Sequence, residues 1–139
     1  MAKQSGLGDY IAVDDSAGTP RDISNDITSY SIGNPQSMYD MTGLNKSAME
    51  RLIGLNDLTV TLNGYFNPAS NKSHDVFKVR TGTRTFDLRV GGDTSTNPKL
   101  TAEMLIGEYN LDRGDDGGLT WTVSLSLESG TVPAWTTVA

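Results

Sequence analysis

The sequence is dominated by apolar and polar residues that alternate at period two. The pattern is clearest where Leu58, Val60 and Leu62 are separated by polar residues. Successive side chains of a strand point to opposite faces of a sheet, so such a segment is predicted to bury one face and expose the other. Strands with full or partial alternation are predicted at residues 27–33, 58–63, 85–90, 100–106 and 121–127.

Two local signals refine this pattern in the second half of the chain. The parity of the apolar residues shifts near Gly107, from Ile106 to Tyr109, which predicts a β-bulge. The segment Asp115-Asp116-Gly117-Gly118 lies between two alternating runs and predicts a hairpin turn. At least five strands are therefore expected.

One helix is predicted over residues 48–53. Ser47 and Glu50 have the spacing of a capping box, and Met49, Leu52 and Ile53 would form a buried stripe against the sheet. A further helical turn is predicted at residues 73–78, which would carry Val76 and Phe77 inward. The predicted fold class is mainly β, a sandwich or barrel with one short flanking α-helix.

The first 22 residues differ from the rest of the chain. They are rich in Gly, Ser and Asp, and their apolar residues are confined to a short patch at Tyr10, Ile11 and Val13. Such a segment cannot build a core alone, so residues 1–22 are predicted to be a flexible arm that orders against a partner. Residues 23–139 are predicted to form a single domain.

Composition narrows the functional classes. The 139 residues contain no Cys, which excludes disulfides and thiolate chemistry. The formal net charge of -6 makes the chain a poor candidate for gripping the phosphates of nucleic acid. The N-terminal residues lack a signal-peptide pattern, and no apolar run has the length of a membrane span, so we expect a soluble protein made in a cytoplasm.

Candidate catalytic and metal-binding patterns are weak. Ser73, His74 and Asp75 are adjacent in sequence and their side chains diverge, which does not suit a triad. The adjacent acids of residues 14–15 and 115–116 diverge in the same way, unlike the facing carboxylates of a glycosidase. A calcium loop starting at Asp112 lacks the acidic residue required at its twelfth position. No catalytic residue, cofactor site or metal site is predicted.

The order of these elements resembles a known family. The stretches "DITSYSIGNPQSMYDMTGLNKSAMERLIGLNDLTVTLNGYFNPASNKSHDVFK" and "LTAEMLIGEYNLDRGDDGGLTWTVSLSLESGTVPAWT" are similar to the major tail (tail tube) proteins of long-tailed bacteriophages, especially those of actinobacterial hosts. The resemblance covers about residues 23–136. It implies a structural, non-catalytic protein that forms hexameric rings, which stack into a tube through which the genome leaves.

The resemblance also implies partners and sites. The expected partners are further copies of the chain and the tape measure, tail terminator and distal tail proteins. DNA is expected to pass without specific binding, in a virion tail built in the cytoplasm of the host. Polar strand residues are candidates for the channel wall: Thr59, Thr61, Asn63, Asp87, Arg89, Thr101 and Glu103. Candidates for ring stacking are Tyr10, Ile11 and Val13 of the arm.

Other functions remain open at this point. A capsid decoration protein or another β-rich virion surface protein would share the acidic, β-rich composition. A carbohydrate-binding module would use Trp121 and Trp135 to stack on sugar, although Trp121 lies in an apolar alternation typical of a core. A hydrolase with a carboxylate pair is disfavoured by the spacing of the acids.

Overall fold

The computed structural model describes residues 7–139, which form an antiparallel β protein with two short helical segments. The predicted mainly-β class is therefore confirmed. The strands are β1 (Tyr10–Asp14), β2 (Pro20–Asp22), β3 (Ile27–Gly33), β4 (Gln36–Asp40), β5 (Arg51–Asn56), β6 (Thr59–Tyr65), β7 (Arg84–Arg89), β8 (Pro98–Arg113), β9 (Leu119–Leu127) and β10 (Thr136–Thr137). The helix α1 spans Ser73–Phe77, and a 3-10 turn spans Ser24–Asp26.

The main sheet has the order β2-β1-β7-β8-β9-β6-β3, with β10 also paired to β8. The long strand β8 changes partner along its length, because β7 pairs with Lys99 to Met104 whereas β9 pairs with Met104 to Arg113. We call β2, β1, β7, β10 and residues 98–104 of β8 sheet I. We call residues 104–113 of β8 together with β9, β6 and β3 sheet II. The predicted bulge is confirmed by a register shift between Ile106 and Glu108.

One hydrophobic core lies between the two sheets. Because the buried side chains of both sheets form one cluster, the main sheet must curl around them, and the outer faces of sheets I and II point away from each other. The predicted helical turn near residue 75 is confirmed as α1, whose Val76 and Phe77 are fully buried. The core includes Ile11, Val13, Val60, Leu62, Val76, Phe77, Phe86, Leu88, Leu100, Met104, Trp121, Val123 and Leu125.

The N-terminal segment is part of this packing. Strand β1 pairs with β2 on one side and with β7 on the other, and Ile11 and Val13 are buried in the core. Residues 10–14 therefore pack with the rest of the sheet, and the division at residue 22 is still a prediction. The predicted mobility of this segment in the free subunit stays a prediction.

The helix predicted over residues 48–53 is wrong. Residues 51–53 of this segment belong to strand β5, which pairs with β4 in a separate two-stranded sheet. The main-chain N–H of Glu50 donates to the Oγ1 of Thr42, so the capping box with Ser47 is not formed. A helix of two turns is marginal without packing, and the side chains that were to pack on the sheet, such as Leu52, are exposed.

Candidate assembly surfaces

A separate hairpin carries most of the exposed apolar surface. We call residues 36–56, which contain β4 and β5, the β4–β5 hairpin. Its large apolar side chains are each at least 55% exposed, although isolated two-stranded ribbons are marginally stable in water. Exposed apolar surface in this amount is typical of a protein interaction site. The exposed residues are Met38, Tyr39, Met41, Leu44, Met49, Leu52, Ile53 and Leu55.

The β4–β5 hairpin extends from one end of sheet II. It leaves the sheet after Gly33 and returns at Thr59, two residues that pair with each other. The N–H of Asp57 donates to the carbonyl oxygen of Pro35 at 3.1 Å and closes the base of the hairpin. The turn between β8 and β9 lies at the other end of sheet II, beside the Tyr65 and Thr120 pair. The hairpin and this turn therefore mark opposite ends of the domain.

Sheet II has two unpaired edges among the described strands. Strand β3 pairs only with β6, so its other side is an edge. Residues 105–113 of β8 pair with β9, while the pairing of β8 with β7 ends at Met104. Unpaired strand edges present rows of main-chain donors and acceptors that can pair with another chain. Sheet I, in contrast, ends in the three-residue strand β2, which starts with Pro20, a residue that blunts an edge.

The outer face of sheet II consists mostly of hydroxyl and amide side chains, with the exposed Tyr65 and Leu105 at its ends. The Nδ2 of Asn63 donates to the Oγ of Ser29 at 3.2 Å, and the Oγ1 of Thr122 donates to the Oδ1 of Asn63 at 2.9 Å. The strand β8 adds Glu108 and Asp112 at the edge of this layer. We call the following outward side chains of β3, β6 and β9 the hydroxyl face: Ser29, Ser31, Thr59, Thr61, Asn63, Thr120, Thr122, Ser124 and Ser126.

The outer face of sheet I is charged. Arg89 forms ion pairs with Asp87, at 3.0 Å, and with Asp93, and its guanidinium lies 4.9 Å from the ring centroid of Tyr10. The hydrogen bond to Asp87 is the largest effect that raises the pKa of Arg89. On the neighbouring strands, the Oγ1 of Thr85 donates to a carboxylate oxygen of Glu103 at 2.7 Å. This face combines both signs of charge, unlike the hydroxyl face.

The structure divides the predicted channel residues between the two faces. Three of them lie on the hydroxyl face: Thr59, Thr61 and Asn63. The other four lie on the outer face of sheet I: Asp87, Arg89, Thr101 and Glu103. The two groups therefore lie on different faces of the domain, and the lining of a channel by either group stays a prediction.

The predicted stacking residues are divided in a similar way. Tyr10 lies on the outer face of sheet I, against Arg89, and burial is the largest effect that raises the pKa of Tyr10. Ile11 and Val13 are core residues of the same subunit. Sequence reasoning missed the β4–β5 hairpin as a candidate interaction surface, because Met49, Leu52 and Ile53 were assigned to a buried helix stripe.

The neighbourhood of His74 does not form a triad. The Nδ1 of His74 lies 3.0 Å from the hydroxyl oxygen of Tyr109, and its imidazole packs on Phe66. Asp75 pairs with Lys78 at 2.9 Å instead, and the hydrogen bond from Lys78 lowers the pKa of Asp75. Within residues 7–139, no three His, Asp or Glu side chains are grouped as metal ligands, and no helix has the length and apolar character to span a membrane.

Comparison with known proteins identifies the fold. No family model and no curated protein matches the sequence. Three of the matching solved structures cover almost the whole chain. A chain from the tail of an empty gene transfer agent particle, solved with C6 symmetry, has a TM-score of 0.73 at 14% identity and covers 99% of this chain and 100% of its own.

The other two matches come from similar assemblies. A chain from the virion of a native gene transfer agent particle has a TM-score of 0.68 at 14% identity, with 99% of this chain and 100% of its own covered. A chain from the SPP1 tail tube has a TM-score of 0.68 at 11% identity, with 94% of this chain and 81% of its own covered. The protein therefore has the fold of these tail proteins, as the sequence resemblance predicted.

Proposed function

We propose that this protein is a structural subunit of a phage-type tail tube, where copies of it form stacked rings around a channel for DNA. The observation that carries the proposal is the β4–β5 hairpin, which extends an exposed apolar surface from a domain with the fold of tail proteins. Fully burying one such Leu or Met side chain contributes about 1.5–3 kcal/mol. A surface of this kind is explained by assembly rather than by catalysis.

The edges of sheet II give a route to ring closure. Pairing β3 of one subunit with residues 105–113 of β8 in the next is a head-to-tail contact, and a head-to-tail contact closes into a ring when the rotation fits. Six subunits per ring are proposed by analogy, since the similar gene transfer agent tail was solved with C6 symmetry. Each subunit uses both edges of its sheet II in these contacts, so a closed ring leaves neither of them exposed.

A simple estimate indicates which layer lies inside such a ring. Six copies of a four-stranded sheet II, with strands about 4.8 Å apart, close a cylinder about 37 Å across between opposing backbones. Packed sheets lie about 10 Å apart, so sheet I inside that cylinder would leave only about 17 Å, which side chains would fill. If sheet I lies outside the cylinder formed by sheet II, an open channel remains. We propose this second arrangement.

The position of the β4–β5 hairpin supports ring stacking. It lies at the end of sheet II opposite the turn between β8 and β9. In a stack of identical rings, opposite ends of the subunit meet, so the hairpin of one ring would pack on the neighbouring ring. The finished tube would lie in the virion tail, enclose a tape measure protein and end at tail terminator and distal tail proteins.

The proposal is tested with the exchange Leu52→Asp in the β4–β5 hairpin. Leu52 is exposed, so we expect a normally folded variant that forms no tubes, because assembly would bury an unpaired carboxylate. Leu52→Met is the matched control and keeps an apolar side chain of similar size. Circular dichroism checks the fold, and electron microscopy checks for tubes.

The outcomes separate the candidate functions. Hollow tubes from the wild type and Leu52→Met, with folded subunits alone from Leu52→Asp, support the proposal. Closed trimers from the wild type would indicate a capsid decoration protein instead. The proposal would be overturned if the wild type stays monomeric at every concentration and its subunits do not add to the end of an existing tail.

A further inference from the structure

The faces of the two sheets differ in charge in a way that bears on the passage of DNA. We propose, building on the tail tube function above, that the hydroxyl face is the wall of the channel, so that DNA slides past an almost uncharged layer of Ser, Thr and Asn side chains. This wall would contain no cation on β3, β6 or β9. The acidic residues predicted for the wall, Asp87 and Glu103, would lie outside it.

A surface along which DNA slides should lack cationic side chains. Binding of DNA by proteins rests largely on Lys and Arg, because each phosphate they neutralise releases condensed counterions. The chain has 11 Lys and Arg residues, yet the nine members of the hydroxyl face include none. Hydroxyl and amide groups hold water, so the hydroxyl face offers DNA neutral, hydrated contacts.

Internal hydrogen bonds hold part of the hydroxyl face in place. The side chain of Asn63 bridges β3 and β9, because it donates to Ser29 and accepts from Thr122. The hydroxyl of Thr28 donates to the main-chain oxygen of Asn63 at 3.2 Å. These hydrogen bonds hold the polar groups in place and leave fewer free donors to bind phosphate oxygens.

The acidic residues of sheet II would lie at the seams between subunits. Glu108 and Asp112 point outward from the edge of β8, where β3 of the next subunit would pair. The proposed channel wall thus consists of neutral panels three strands wide, separated by narrow acidic lines. Such lines would repel DNA weakly and would give it no site to bind.

The inward position of the hydroxyl face is tested by chemical labelling of assembled tubes. The chain has no Cys, so Thr61→Cys and the matched control Glu103→Cys each introduce a single thiol. A small maleimide enters an open tube, whereas a maleimide on a large polymer does not. We expect Thr61→Cys to react with the small reagent alone and Glu103→Cys to react with both.

A second arm tests the role of charge. Thr61→Lys adds a cation to the proposed wall, and tubes of this variant should hold short duplex DNA in a form resistant to nuclease. Two phosphate contacts per duplex predict a loss of affinity of about tenfold between 50 and 200 mM salt. Thr61→Gln controls for side-chain size and should retain no DNA. Glu103→Lys changes the charge by more, yet it should bind DNA only where nuclease can reach it.

Either arm can overturn the inference while tubes still form. Equal reaction of Thr61→Cys with both reagents would place the hydroxyl face on the outside of the tube. Nuclease-resistant DNA held by Glu103→Lys and not by Thr61→Lys would assign the channel to sheet I. Failure of the wild type to form tubes would count against the proposed function instead, so the two failures are distinguishable.

Discussion

The guanidinium of Arg84 donates a hydrogen bond to the main-chain oxygen of Asp14 at 3.1 Å, so a buried side chain of β7 holds the end of β1. The same guanidinium donates to the carbonyl oxygens of Val76, Val79 and Thr81. Arg84 is 1% exposed, and burial is the largest effect that lowers its pKa. The four carbonyl groups offset the cost of burying this cation and connect β1, α1 and the loop before β7.

We expect Arg84→Met to lower the free energy of unfolding by about 3 kcal/mol or more, because it leaves several buried carbonyl groups without donors. Arg80→Met removes the same charge from an exposed position and serves as the control, with a change within about 0.5 kcal/mol. Urea unfolding of both variants measures the difference. Equal midpoints for the two variants would show that the contacts of Arg84 contribute nothing to stability.

The contact between Tyr30 and Asp9 predicts a loss of stability at alkaline pH. Burial, followed by the hydrogen bond and the charge of Asp9, raises the pKa of Tyr30 from 10.0 to about 12. The folded state therefore favours the neutral phenol, and this contribution is complete below pH 10 and lost as the pH rises towards 12. We expect the free energy of unfolding of the wild type to fall more steeply over this range than that of Tyr30→Phe.

Comparison of Tyr30→Phe with one further variant, Asp9→Asn, defines the cause of this effect. The shifted groups Tyr10 and Tyr109 remain in Tyr30→Phe, so their contributions cancel in the comparison. Asp9→Asn removes the charge and leaves the burial of Tyr30, and because burial is the largest cause it should keep a measurable part of the slope. Identical pH slopes for the wild type and Tyr30→Phe would refute the assignment.

Sequence patterns predicted the parts of the fold that bury one face within the chain. The alternation of Leu58, Val60 and Leu62 predicted the inward face of β6, and the parity shift near Gly107 predicted the bulge in β8. Parity distinguishes inward from outward but not sheet I from sheet II. That distinction depends on the change of partner along β8, so Thr61 and Glu103 were grouped together although they lie on opposite faces.

The β4–β5 hairpin shows the limit of apolar patterns. The spacing of Met49, Leu52 and Ile53 fits a helix stripe, but sequence spacing does not tell whether such residues pack on the same chain or on another copy. In the proposed tube these side chains contact a neighbouring ring. Leu52 also pairs with Tyr39 of β4, and spacing rules that consider only near neighbours in sequence do not detect this partner.

The N-terminal segment gives the last prediction. The N–H of Ile11 donates to the Oγ of Ser24 at 2.8 Å, and the carbonyl oxygen of Ile11 accepts from the N–H of Ile23 at 3.1 Å. Because residues 10–13 also pair with β7, we expect the amides of residues 11–13 to exchange slowly with solvent in the free subunit. The folded, unassembled Leu52→Asp variant supplies that free subunit.

Hydrogen exchange followed by mass spectrometry makes the comparison. Amides of residues 122–124, in the middle of β9, serve as the reference for global unfolding, and those of the β4–β5 hairpin as an exposed reference. The packing predicts that residues 11–13 exchange as slowly as β9, while the hairpin becomes protected only in wild-type tubes. If residues 11–13 instead exchange as fast as the hairpin until tubes form, this segment is an arm that orders on assembly, because its pairing with β7 would then require the neighbouring subunit.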